Sequence, residues 1–250
     1  MEGLSFCDIL YSIMRAFHRR FRSLPFSLLL FFFVLSNHAF AQSIRLDSLD
    51  FHLGETLIVN GFTEDAEGEP VQGSDVSPLT FTMGGGARFA FPGGWRAGLS
   101  VDLWTQEYLE TPQGPVVPTQ IETGSAAGES LAKTIGLVVG LPFFYHWEPP
   151  ATGDFHFGGG ISPSFVFRLP YSGIDGAKPD GVREYYLSEG RFFYPETMLY
   201  GEYVLNERLR FGLHIRALWP LYNSWDGEDT AALDEMLLSF LLGVRWVFPE

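Results

Sequence analysis

The sequence predicts an all-β chain, a single eight-stranded antiparallel up-and-down transmembrane β-barrel with short periplasmic turns and long extracellular loops. Three observations predict it. Apolar residues recur at every second position through eight segments, the period of a strand with one apolar face. The segments are joined by connections that alternate long and short, the asymmetry of barrels that thread a membrane. The positions opposite each apolar stripe hold glycine, serine and charges of both signs, a filling suited to a narrow lumen rather than to a water-facing sheet.

Composition excludes the main alternatives. Of 250 residues 46% are apolar and only 18% charged, so the chain is not disordered. A single cysteine excludes a disulfide scaffold and a cysteine-built zinc site. A net charge of −14 argues against nucleic acid as a partner.

Residues 1–41 read as a secretory signal peptide and 42–250 as the barrel domain. Arg15, Arg19, Arg20 and Arg22 form a positive region, residues 24–35 an apolar one, and Ala39-Phe40-Ala41 a cleavage site. The apolar stretch is shorter than the roughly 17–25 residues of a spanning helix. The positive region is long, and Met14 is an alternative start to Met1. Cleavage removes four of 16 basic and two of 30 acidic residues, which leaves 12 and 28 and a net charge of −16. Cys7 leaves too, so the exported chain carries no thiol, as suits an oxidising compartment.

The eight strand candidates follow in order. In 44–60, the weakest, Phe51, Leu53, Leu57 and Val59 share a phase with Glu55. Next come 79–91 and 95–109, the latter with Trp95, Ala97, Leu99, Val101 and Leu103 opposite Arg96, Gly98, Ser100 and Asp102. Residues 131–147 read as one strand with Ile135, Leu137, Val139 and Phe143 on its apolar face, and 154–169 sets Phe155, Phe157 and Ile161 against His156, Gly158 and Ser162. Segments 191–205, 208–222 and 236–248 complete the set; in 208–222 Phe211, Leu213 and Ile215 oppose Arg210, His214 and Arg216. Pro142 and Pro163 fall inside strands, where each removes a ladder donor and marks a bulge or a break in pairing. Tight joints stand at Pro92-Gly93-Gly94, 148–153 and Asn206-Glu207, whereas 61–78, 110–130, 170–190 and 223–233 are long and polar. The triple glycines at 84–86 and 158–160 lack a following Gly-Lys-Ser/Thr, so they read as close packing in a narrow barrel and not as phosphate loops.

Inward charges must pair inside the lumen. The phase nominates Arg88, Arg96, Asp102, Arg168, Glu196, Glu202, Arg210, His214, Arg216 and Arg245 for one charge network. Aromatic side chains collect at strand ends, as two interfacial girdles require. Phe91, Trp95, Tyr145, Trp147, Phe155, Tyr203, Trp246 and Phe248 are expected near the short turns, and Trp104, Tyr108, Phe167, Tyr171, Phe192, Tyr194, Trp219 and Tyr222 near the long loops.

The chain resembles the small eight-stranded outer-membrane barrels of the OmpA/OmpX type and the PorT-like outer-membrane β-barrel families, over about residues 44–250. The last strand carries the sharpest likeness: Gly243, Trp246 and Phe248 follow the glycine-x-x-aromatic-x-aromatic signal that such families present to the barrel assembly machinery. Leu241 stands where that pattern has a polar residue, and Pro249 and Glu250 follow the last aromatic. The resemblance implies integration into the cell outer membrane beside lipopolysaccharide and implies no single activity.

No specific catalytic motif, cofactor site or metal site emerges. His146, His156 and His214 share the inward phase, as a ligand or acid–base cluster would, but paired lumen residues are the simpler reading. His156 with Ser162 or Ser164 is the nearest approach to the nucleophile–base pair of a lipid A-modifying barrel enzyme. The loops are acidic, with Glu64, Asp65, Glu67, Glu69 and Asp75 in the first and Asp226, Glu228 and Asp229 in the last; they are solvated charge, or they dock a partner or bridge divalent ions to lipopolysaccharide phosphates. The expected function is that of a non-enzymatic outer-membrane barrel, structural or adhesive, with a closed charged lumen. A narrow pore or transport accessory, and a lipid A-modifying enzyme, are the alternatives.

Overall fold

The computed structural model describes residues 45–60, 77–109, 117–119, 131–149, 153–174, 179–224 and 233–249. The cleavage-site alanines Ala39 and Ala41 and the acidic runs of the first and last long loops lie outside them. Among the described residues the strands are β1 (Arg45–Ile58), β2 (Leu79–Ala90), β3 (Trp95–Leu109), β4 (Val117–Thr119), β5 (Leu131–Gly140), β6 (Phe143–Trp147), β7 (Phe155–Ile174), β8 (Phe193–Val204), β9 (Leu209–Leu218) and β10 (Leu237–Val247), with one α-helix, α1 (Pro179–Leu187).

Every neighbour in the sheet is antiparallel, and the sheet closes. β1 pairs β2 on one side and β10 on the other, from Ser48 opposite Val247 to Ile58 opposite Leu237. β5 and β6 share one stave: Ser100 faces Gly140 and Ala97 faces Phe143 on β3, so the register runs unbroken across Leu141-Pro142. Pro142 supplies no N–H, but its carbonyl accepts from the Gly98 N–H at 2.8 Å, so the stave stays attached through the break. The expected single strand 131–147 is therefore two strands on one stave. Counted this way the described residues form eight staves in sequence order, with β4 a short ribbon on the end of β3. Pro163 sits directly opposite Pro195 in the β7–β8 ladder and faces outward. The ladder shifts register at Leu46/Ser48 and Lys133/Thr134, local irregularities that bend a stave.

The barrel is apolar outside and polar inside. Leu242 is 65% exposed, Leu199 64% and Ile161 62%, whereas Arg168 and Asp102 are 2% exposed and Glu196 1%. A soluble barrel or sandwich has the opposite arrangement, because water cannot solvate a continuous apolar wall. In hydrocarbon the wall is favourable, and ring closure leaves no backbone edge unpaired there. The fold is a transmembrane β-barrel, and the greasy stripes face outward as the alternation predicts.

The girdle near the short turns lies outside as expected, with Trp95, Tyr145, Trp147, Phe155, Tyr203 and Trp246 all exposed. The opposite girdle needs correction. Trp104, Tyr108, Phe192, Tyr194 and Tyr222 are buried, leaving Phe167, Tyr171 and Trp219 at least partly accessible. The reason is phase: Trp104 and Tyr108 alternate with the outward Leu103, and Tyr194 lies two residues from the inward Glu196.

The third long connection also differs from the polar loop expected. It contains α1, whose Val182 and Tyr186, four residues apart, share a face that is buried against Tyr108 and Ala132 at the barrel end. Across the other end, Pro92-Gly93-Gly94 turns through φ of 76° and 83° at its two glycines, left-handed values that glycine adopts without a Cβ penalty.

Glycines inside make room for large side chains. The Trp104 indole lies against Gly136 and the Tyr200 ring against Gly158, where an added Cβ would overlap the ring. Gly136→Val is thus expected to destabilise the barrel by about 1–3 kcal/mol through overpacking. Urea unfolding in detergent micelles reads this, and an unchanged midpoint would contradict the packing.

Candidate functional site

The lumen is the functional feature the strands build, and it is layered. Alternation sends one side chain in two inward, and eight staves bring those side chains within contact across the axis. At the mouth beside the short turns, His146 on β6, His156 on β7 and Glu148 just after β6 face Arg210 on β9. Arg210 Nη1 lies 3.2 Å from His146 Nε2 and 3.2 Å from His156 Nδ1. The His146 Nδ1 atom is 2.8 Å from the Tyr200 hydroxyl. Arg96 is half-buried at the same end, its Nε 3.5 Å from Asp47 Oδ2.

The next layer is an ion-pair ring. Arg88 and Arg245 both bind Asp50, Arg245 at 2.9 Å, and Arg245 also pairs with Glu202. Arg88 stacks 4.7 Å from the Phe144 ring centre and 5.0 Å from that of Tyr200. His214 lies 3.9 Å from Glu202, with its ring against Gly243. Above it His52 pairs with Asp102, and Arg216 bridges Asp102 and Glu196 at 2.6 Å each. The Ser164 hydroxyl donates to Glu196 at 2.6 Å and that of Thr56 lies 2.7 Å from Thr82 and 2.8 Å from Ser239. A buried charge costs several kcal/mol unless paired and hydrogen-bonded; Asp102 and Glu196 have both, whereas the Glu202 carboxylate is ion-paired with Arg245 and accepts no hydrogen bond among the described residues.

Beyond the polar layers an apolar plug crosses the lumen, made of Ile58, Trp104, Val138, Val166, Leu218 and Leu237. A void of about 10 Å³ lies between Arg216, Trp104 and the plug, hardly room for one water.

The far end is capped. Arg168 donates from Nε to Tyr108 at 2.8 Å and from Nη2 to Tyr194 and Glu235, each at 2.9 Å. Its guanidinium lies 3.7 Å from the Tyr186 ring centre, so α1 is held by a cation–π contact as well. Tyr186 and Tyr222 donate to Glu235 at 2.6 and 3.0 Å. Burial pushes the Glu235 carboxyl above its ordinary value, Arg168 opposing the shift. Burial first, then the Glu235 charge, holds the Tyr186 and Tyr222 phenols well above theirs, so both remain donors.

Of the nominees, Arg88, Asp102, Arg168, Glu196, Glu202, Arg216 and Arg245 are buried and Arg96, Arg210 and His214 half-buried, and they fall into separate groups. Arg168 belongs to the cap, Arg96 and Arg210 to the mouth, and Arg88, Glu202, His214, Arg245, Asp102, Arg216 and Glu196 to the middle. Asp50, His52 and Tyr200 were missed although their phase marks them, each alternating with an outward leucine or phenylalanine. Glu235 had no such signal, because it sits on a turn before β10 with φ of 62°. Of the terminal motif, Gly243 faces in, Trp246 faces out and Phe248 lies past the end of β10. Ser162 and Ser164 are buried in the middle layer, and their hydroxyls bond Pro163, each other and Glu196, whereas His156 bonds Arg210 at the mouth. The nucleophile–base pair considered from sequence is not assembled among these residues.

Among solved structures, the fold is similar to Neisserial surface protein A at a TM-score of 0.41 and 9% identity, spanning 82% of this chain and 99% of that one. It is similar also to Ail, the attachment invasion locus protein of Yersinia pestis, in complex with the heparin analogue sucrose octasulfate, at a TM-score of 0.37 and 9% identity, spanning 82% and 100%. No family model and no curated protein matches the chain.

Proposed function

We propose that this chain is a non-enzymatic integral protein of the outer membrane, with a closed lumen, whose long loops make its contacts. One observation carries the reading: an apolar wall surrounds a lumen that is filled from the mouth to the cap, with an apolar plug in series with the ion pairs. A pore needs a continuous wet path, and wide aqueous channels come with roughly 16–18 strands. An exported barrel with Gly243, Trp246 and Phe248 in its last strand suits delivery by the barrel assembly machinery, and the acidic loops suit divalent bridges to lipopolysaccharide or a basic partner.

The test is electrical. Purified barrel reconstituted in planar bilayers is expected to show no steady open steps. Steady, reproducible conductance would instead favour the narrow-pore alternative, and an altered lipid A acyl pattern after incubation with lipopolysaccharide would favour the enzyme.

A further inference from the structure

The mouth beside the short turns holds an arrangement that ion pairing alone does not require. Three atoms able to ligate a metal converge from one hairpin. His146 Nε2 lies 3.0 Å from Glu148 Oε1, His156 Nδ1 lies 3.6 Å from the same oxygen, and all three lie within 4.8 Å of one another. The hairpin geometry produces this: His146 and Glu148 are two apart and so share a face, and β7 returns His156 beside them. With its proton on Nδ1, toward Tyr200, His146 turns an Nε2 lone pair to the Glu148 oxygen, and a cation then holds the two together; with its proton on Nε2 it donates to Glu148 instead. Here the cation is Arg210, whose Nη1 touches both imidazoles and stands 4.0 Å from Glu148.

We propose that His146, Glu148 and His156 bind a divalent transition-metal ion of the zinc class, which displaces the Arg210 guanidinium from its place beside them. Zinc bonds of about 2.0–2.1 Å in a tetrahedron separate ligand atoms by roughly 3.3 Å, and the two shortest separations here bracket that value. Two imidazoles with one carboxylate favour zinc, cobalt, nickel or copper over magnesium or calcium. The Tyr200 hydroxyl stands behind His146 Nδ1 and can accept its N–H, which fixes the tautomer that leaves Nε2 free for metal. Glu148 is 56% exposed, so an ion reaches the site from the water beside the turns, and Arg210, 17% exposed, has an outward path.

The experiment is calorimetric titration of untagged, folded barrel in micelles with Zn²⁺, paired with the visible spectrum of bound Co²⁺. One ion per barrel is expected. His146→Asn and His156→Asn each should weaken uptake by more than about 100-fold, beyond the roughly 10–100-fold that a supporting-residue change costs. Arg210→Gln should tighten it at least about tenfold, because the resident cation is gone, and a misfolded variant would not gain affinity. Heat-modifiable gel migration confirms that each variant is folded. No uptake by the unaltered barrel, or uptake of equal affinity in both histidine variants, would overturn the site.

Discussion

Arg216→Met is expected to lower the stability of the folded barrel by about 3–5 kcal/mol, because it leaves the buried Glu196 carboxylate without a cation and Asp102 with His52 alone. Arg216 is the bridge of the middle layer, reaching Asp102 and Glu196 at 2.6 Å each while those side chains are almost wholly enclosed. Removing one partner differs from removing all. The triple variant Asp102→Asn, Glu196→Gln, Arg216→Met carries no orphan charge and should recover most of the loss, since neutral replacement of a whole buried network is often tolerated. Urea titrations in micelles measure both. A loss under about 1 kcal/mol in the single variant, the range of an exposed pair, would mean that water already solvates the layer.

Leu213→Arg is the second large effect, expected at about 2–4 kcal/mol when the barrel folds into phospholipid vesicles. Leu213 lies near the middle of β9 and is 45% exposed, beside Leu242 of β10. In water an exposed leucine exchanged for arginine stays within roughly 0.5 kcal/mol. The size of the effect therefore reports the solvent of the outer wall. Depth supplies an internal control: Leu209→Arg, at the short-turn end of the same strand, should cost about 0–1 kcal/mol, as charges near the interface do. Equal and small costs at both positions would show that the wall faces water.

The outward stripe was legible in the sequence because alternation is a local property. Leu213, Phe240 and Leu137 declare their side by what stands next to them, and no knowledge of distant residues is required. The inward charges were legible for the same reason, down to Asp102 and Glu196. Their partners were less so, since Arg216 meets Asp102 across 114 residues of chain and no spacing rule reaches that far. The misplaced aromatics show the limit from another side. Trp104 and Tyr194 sit near strand ends, where rings often face the membrane interface, but their phase turns them inward and the lumen closes on them.

Local pattern thus marks the side each residue takes and the tight turns, because these follow from side-chain period and from the φ that glycine adopts most freely, whereas the number of staves is fixed by the pairing of β1 with β10. The pairing of particular charges, the apolar plug, the docking of α1 over Arg168 and Glu235, and the convergence of His146, Glu148 and His156 on Arg210 arise only once the ring closes. Closure sets which residues of different staves share a level across the axis, and that level depends on the stagger of every ladder at once.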